Sequence, residues 1–333
     1  MSLLLILTIL IVIGALAFDF INGFHDTANA IATSVSTKAL KPRQAIMLAA
    51  VMNFIGALTF TGVAKTVTKD IVDPFALGNG SVVILAALIS AIIWNLLTWY
   101  FGIPSSSSHA IIGSVAGAAI AAEGFAVLNY AGFLKILEGL ILSPILAFVV
   151  GYIIYSIFKV AFKNLNLAKT NRRFRYIQVA TAAIQSYSHG TNDAQKSMGI
   201  ITLALISSSY LPANADIPFW VQLSCAAAMG LGTSIGGWKI IKTVGGKIMK
   251  IRPINGVAAD LTGAAVIFGA TLIHLPVSTT HVISSGILGV GSSHRIKGVK
   301  WDTAQRMVIT WVITLPITAL IAAIVFFILN LVF

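Results

Sequence analysis

Residues 82–101 run for twenty positions without one charged side chain, and comparable apolar stretches recur along the whole chain. An α-helix needs roughly 20 apolar residues to cross a bilayer's hydrocarbon, whereas barrel strands alternate in units of about ten. The pattern therefore reads as an all-α polytopic membrane protein. Composition agrees: 57% of the 333 residues are hydrophobic and only 10% are charged, against about 25% charged in soluble domains. That excludes an ordinary soluble enzyme, a disordered chain and a disulfide scaffold; the one cysteine, Cys225, lies in an apolar run. Leu3 to Ala17 imitates a signal peptide. With no Lys or Arg before Lys38, it lacks the basic start of one and is read as a permanent span.

Polar interruptions punctuate the apolar segments, and they come in pairs. Residues 22–29 (Asn22-Gly23-Phe24-His25-Asp26-Thr27-Ala28-Asn29) resemble residues 189–196 (His189-Gly190-Thr191-Asn192-Asp193-Ala194-Gln195-Lys196) at an offset of 167. Pro104-Ser105-Ser106-Ser107-Ser108-His109 resembles Pro276-Val277-Ser278-Thr279-Thr280-His281 at an offset of 172, which also superposes Pro144 on Pro316. The chain thus reads as an internal duplication: a first repeat over 1–160, a basic connecting loop over 161–175 and a second repeat over 176–333.

The net charge of +12 would suggest nucleic acid in a soluble protein. In a membrane protein, basic residues mark cytoplasmic loops, so no nucleic-acid partner is expected. Eighteen of the 22 Lys and Arg fall into four groups, at 38–43, 159–175, 239–252 and 295–306. The opposite loops hold only Lys65, Lys69 and Lys135. This split places both termini outside and gives each half an odd number of crossings, so the second repeat is inverted relative to the first. Inverted repeats with broken helices are characteristic of secondary transporters. The short stretches after the two Pro-Ser motifs favour two re-entrant helical hairpins.

The motifs suggest a division of labour. A proline breaks one helix, and hydroxyl residues, which are favoured helix N-caps, begin the next. Helix N-termini offer free N–H donors to anions. Ser106, Ser107 and Ser108, with Ser278, Thr279 and Thr280, then form two neutral cradles suited to a tetrahedral oxyanion. Asp26 and Asp193 lie at equivalent positions in apolar surroundings, where an ionisable residue reads as functional by default. Helical spacing puts Asn22 and Asn29 on the Asp26 face. Such oxygens suit a hard cation, and a carboxylate also takes a proton. Either would remove the repulsion between carboxylate and anion, which is the physical basis of symport. Lys196 either faces the anion or neutralises Asp193. His25, His109, His189 and His281 flank the motifs as titratable or packing groups. Asp19 is a second proton site or a boundary residue, and Asp260 is a weaker candidate.

These stretches resemble the inorganic phosphate transporter family. The residues that carry the resemblance are Phe20 to Ala30, Ser188 to Asp193, and Ile92 to Gly102 leading into Pro104–His109, the last being similar to the bacterial low-affinity branch. The resemblance covers essentially the whole chain. It implies secondary import of inorganic phosphate across a bacterial inner membrane by an inverted-repeat bundle that forms a homodimer. It also implies that the hydroxyl runs and Asn192, with Asp26, Asn29 and Asp193, line the substrate and cation sites. Many relatives carry Gly-x-Asn-Asp in both motifs. Here the first has His25, a poor sodium ligand and a good proton acceptor, which favours protons over sodium. The branch it resembles accepts neutral metal–phosphate complexes, so a divalent metal is a candidate companion of the anion; no resident metal or cofactor is expected.

Three rivals were weighed. A sulfate permease would use the same tetrahedral cradles. A divalent-metal transporter would need His25, Asp26, His189 and Asp193 to converge and would leave the hydroxyls unexplained. An intramembrane serine hydrolase is disfavoured, because Ser108 and His109 are sequence neighbours that do not face each other on a helix, and no nucleophile elbow is present. The charge split makes one direct prediction. A cysteine substituted for Asn171 is expected to react with an impermeant reagent only from the cytoplasm, and one substituted for Asn214 only from outside.

Overall fold

The computed structural model describes residues 3–70, 79–164, 167–212 and 214–333. Twelve α-helices are seen among them: α1 (Leu3–Ser36), α2 (Pro42–Ala57), α3 (Gly62–Asp70), α4 (Gly80–Phe101), α5 (Ser107–Glu123), α6 (Tyr130–Ala161), α7 (Leu167–Ser207), α8 (Phe219–Ile235), α9 (Trp238–Lys247), α10 (Pro253–Leu272), α11 (Thr279–Arg295) and α12 (Trp301–Leu329). No strand occurs among the described residues. Five helices, α1, α4, α6, α10 and α12, are long and apolar enough to cross a membrane. The expected all-helical architecture is therefore observed.

The helical spacing read for the Asp motifs is seen, and one expectation, the connector over 161–175, is corrected. The Asp motifs do not break their helices: α1 runs unbroken through Asn22–Asn29, and α7 through His189–Lys196. The polar groups there are buried and bonded sideways to other helices, so the backbone has no need to open. Of the four paired motifs, the two Pro-Ser motifs are the ones at which helices break. There α4 ends on Gly102 in the left-handed conformation (φ 67°), and Pro104 cannot continue a helix. The correction concerns the connector predicted over 161–175. Helix α7 already begins at Leu167, and residues 165–166 lie outside the described residues. At 1.5 Å per residue α7 is about 60 Å long, twice the hydrocarbon thickness. Its basic first turns therefore extend beyond the apolar region.

Helices α1 and α7 cross at the centre. Around them the contacts exchange systematically: α1 packs on α8 as α7 packs on α2, α1 on α9 as α7 on α3, and α1 on α4 as α7 on α10. Further out, α5 packs on α12 as α11 packs on α6. The central crossings depend on missing side chains. A Cβ at Gly23 would overlap the Met229 carbonyl of α8, and one at the equivalent Gly190 would overlap the Asn53 carbonyl of α2. Small residues let membrane helices approach in this way. The outer helices α6 and α12 expose large apolar residues such as Ile141, Leu142, Ile145, Val312, Leu320 and Ile324, the surface expected against lipid.

Candidate functional site

Helix α1 carries a polar stripe, Asp19, Asn22, Asp26, Asn29 and Thr33, all buried, spaced three or four residues apart and so on one face. Helix α7 opposes it with His189, Asn192, Asp193 and Lys196, also buried. The two hairpin turns, between α4 and α5 and between α10 and α11, bring their hydroxyls to this crossing.

Asp26 is held from both halves of the chain. Ser107 Oγ donates to its Oδ2 at 2.5 Å and Thr280 Oγ1 to its Oδ1 at 3.0 Å. His25 Nδ1 lies 2.7 Å from the same Oδ1. Asp193 accepts from Thr279 Oγ1 at 2.9 Å and from the Lys196 ammonium, and His189 Nε2 lies 3.1 Å from it. Lys196 Nζ also donates to Ser108 Oγ (2.6 Å), which in turn donates to the Val277 carbonyl (2.9 Å), so the tips of the two hairpins touch.

Most of these contacts occur as related pairs. At the offsets of 167 and 172, Ser107–Asp26 corresponds to Thr279–Asp193. The Asn29 Nδ2–Thr280 bond (2.8 Å) corresponds to Lys196–Ser108. Lys196 thus occupies the position of Asn29 in the other motif and places a fixed ammonium beside one carboxylate only. In this arrangement the Lys196 ammonium lies on Asp193 and reaches Ser108 of the first cradle as well.

His25 and Asn192 are also equivalent, and each ties down the hairpin of its own half. His25 Nε2 lies 3.0 Å from Thr98 Oγ1. Asn192 donates to Thr271 Oγ1 and the Leu275 carbonyl and accepts from Val277 N–H, at 3.1, 3.2 and 3.3 Å. The cradle residues divide likewise. Ser106 and Ser278 are N-caps that accept the His109 and His281 backbone N–H, while the hydroxyls of Ser107, Thr279 and Thr280 point at the carboxylates. The His109 and His281 rings lie 4.4 Å apart, and His281 stacks on Trp311 at 4.0 Å. That is a packing role.

Unused hydrogen-bonding capacity remains on the Asp26 side. Both side-chain polar atoms of Asn22 and of Asn95 on α4, and Oδ1 of Asn29, are buried without a partner. Buried polar groups are rarely left so, and here they flank a carboxylate. Ligand atoms of Asp26, His189 and Asp193 also come within 4.8 Å of one another, a donor set a hard or borderline cation would accept. Of the four ligands that a metal-transport reading requires, these three converge, while His25 has Nδ1 on Asp26 and Nε2 on Thr98, so both its ring nitrogens are engaged.

Residues that sequence reasoning passed over complete the arrangement: Thr98 on His25, and Asn53, whose Oδ1 lies 3.0 Å from His189 Nδ1. On the other side of Asp26, Thr33 and Thr181 donate to the two oxygens of Asp260 at 2.6 and 2.9 Å. Extending the polar stripe of α1 by one more heptad would have flagged Thr33; Asn53 and Thr98 stand out only as polar residues within apolar helices.

A bundle whose central helices carry opposed polar stripes, met by two hairpin tips, has the form of a secondary transporter. The comparisons with known proteins agree. The family described as the phosphate transporter family matches residues 22–168 and 161–322. A Bacillus subtilis protein, "Probable low-affinity inorganic phosphate transporter", is 78% identical over all of both chains. A Rhizobium meliloti protein of the same description is 46% identical, covering 96% of this chain and 95% of its own. A solved structure titled "The sodium-dependent phosphate transporter" superposes with a TM-score of 0.89 at 25% identity, over 98% of this chain and 100% of that one. The chain belongs to the phosphate transporter family, and with its five span-length apolar helices it is a multi-pass membrane protein.

The buried Lys196–Asp193 pair yields a stability prediction. Removing one member of a buried ion pair costs about 3–5 kcal/mol, whereas replacing both is often tolerated. Lys196→Met is expected to lower the melting temperature of the purified protein markedly, and Asp193→Asn combined with Lys196→Met to restore most of the loss. Additive losses in the double variant, followed by fluorescence-detected unfolding, would remove the pair from the account.

Proposed function

We propose that this protein imports inorganic phosphate by symport with protons, and that the hydroxyls now bonded to the carboxylates are the donors the anion uses. One observation carries this reading: Ser107 and Thr280 donate to Asp26, and Thr279 donates to Asp193. An ionised carboxylate and a phosphate oxygen compete for the same O–H groups, and they repel each other. A proton on the carboxylate removes its claim on those donors and the repulsion together. Anion binding and proton binding thereby favour each other, a coupling that is reciprocal by thermodynamic necessity.

The choice of proton over sodium rests on two features. His25 places an imidazole nitrogen 2.7 Å from Asp26, so a proton can pass between ring and carboxylate. Lys196 supplies a built-in positive charge at Asp193, where a second mobile cation would otherwise be required. The relative of solved structure is titled sodium-dependent, so sodium coupling is the reading to test against. The convergence of Asp26, His189 and Asp193 favours a divalent metal travelling with phosphate as a neutral complex. Sulfate, lacking the proton that phosphate still carries near pH 7, gains less from a carboxylate acceptor. Two inverted repeats, with both termini outside, complete the reading. The pairwise exchange of helix contacts and the eighteen-to-three charge split support it.

In proteoliposomes, phosphate uptake is expected to collapse with a protonophore and to survive replacement of sodium by choline. A strict sodium requirement would sink proton coupling. Magnesium or calcium should raise uptake if the complex is the transported species.

The hydroxyls are testable separately. Each buried donor lost costs about 1–3 kcal/mol, or roughly 5- to 150-fold in affinity. Ser107→Ala and Thr279→Val are therefore expected to weaken phosphate binding by calorimetry while the protein still inserts. Asp26→Asn should instead abolish coupled uptake. Unchanged affinity in both hydroxyl variants would leave the anion to other donors.

A further inference from the structure

We propose that Asp19 is a second proton-binding site of the transport cycle, distinct from the Asp26–Asp193 centre. The inference rests on the proton-coupled reading above. Asp19 sits on α1 seven residues before Asp26, on the same face, about 10 Å away along the helix. It is fully buried within the protein.

Its two oxygens are treated differently. Oδ1 accepts from Ser197 Oγ of α7 at 2.7 Å. Oδ2 is buried with no oxygen or nitrogen donor, and the only other hydrogen-bonding group beside the carboxylate is the weakly donating Cys225 thiol. A charged carboxylate with a bare oxygen in an apolar interior is costly, and a protonated one costs far less. Asp260, the other buried acid outside the centre, has a hydroxyl on each oxygen and reads as a clasp between α1, α7 and α10.

The surroundings of Asp19 select a proton over a metal ion. Hard cations gather about six oxygens, and here one hydroxyl accompanies the carboxylate. One turn along α1 stands Asn22, while Phe18 beside Asp19, Ala194 and Met198 beside Ser197, and Cys225 and Met229 of α8 belong to one apolar cluster. The titratable groups facing Asp19 are Cys225 on α8, and Asp193 and Lys196 on α7. Helix α4 adds none at this level, since its one titratable residue is Tyr100 at its far end. Ser197 lies one turn beyond Asp193 on the same face of α7. A proton held on Asp19 therefore sits next to the helix turn that carries the Asp193–Lys196 pair, and its charge state is felt there.

The test uses full-length protein. Asp19→Asn keeps an oxygen to accept from Ser197, so the fold is expected to be retained. In proteoliposomes carrying a pH-sensitive dye, this variant should lose most of the lumen acidification per phosphate and the pH dependence of uptake. Phosphate affinity by calorimetry should stay close to wild type, and Asp19→Glu should restore the pH dependence. An Asn variant with the wild-type pH profile and proton count would overturn the proposal while leaving proton coupling intact. A wild type that moves no protons would overturn both. Should the Asn variant fail to insert, Ser197→Ala gives an independent reading, because it leaves the carboxylate but removes its hydroxyl donor. Its half-maximal pH should move by about one unit, a tenfold change in proton affinity, and an unmoved profile counts against the proposal.

Discussion

Two carboxylates without water are the constraint around which this bundle is organised. Asp26 and Asp193 lie at the crossing of α1 and α7 with essentially no exposure. Leaving either unpaired in that interior would cost several kcal/mol. The structure meets the demand with three hydroxyls, one ammonium and two imidazoles drawn from four elements: the two motif helices and the two hairpin tips. The hairpins are thus drawn to the centre by the charges they satisfy, and glycines at the crossings let the surrounding helices close over them.

The same arrangement makes the core responsive. A hydroxyl that stabilises a carboxylate is released when that carboxylate takes a proton, and is then free for an anion. In the proposed mechanism, folding and anion binding draw on this one set of donors. The two halves are not used alike. Lys196 stands where the other motif has Asn29, and His25 where the other has Asn192. Both carboxylates adjoin an imidazole, but only Asp193 also carries the fixed charge of an ammonium.

Much of this was legible from sequence. Apolar runs of span length dictated helices, because lipid offers the backbone no other hydrogen-bond partners. The paired motifs identified the carboxylates, the hydroxyl runs and the two breaks at proline, each of which follows from local chemistry. Lys196 and the two flanking histidines were visible as residues, but their partners were not. Polar clusters such as Asn22–Asn29 looked like interruptions of the apolar runs, because a sequence shows polarity without showing what satisfies it.

Tertiary structure decided the rest, for the reason that pairing across the bundle is set by where helices cross. The bond from Thr280 to Asp26 spans 254 positions, and no local rule predicts it. The continuity of α1 and α7 through their motifs, the division of the cradles into caps and carboxylate donors, and the half-satisfied state of Asp19 all depend on such distant partners. Sequence by itself determined which groups would be buried in an apolar medium, since hydrophobicity and periodicity are local properties. Only the packed structure determined which of those groups are satisfied and which keep a free valence, since that depends on what the facing helix presents.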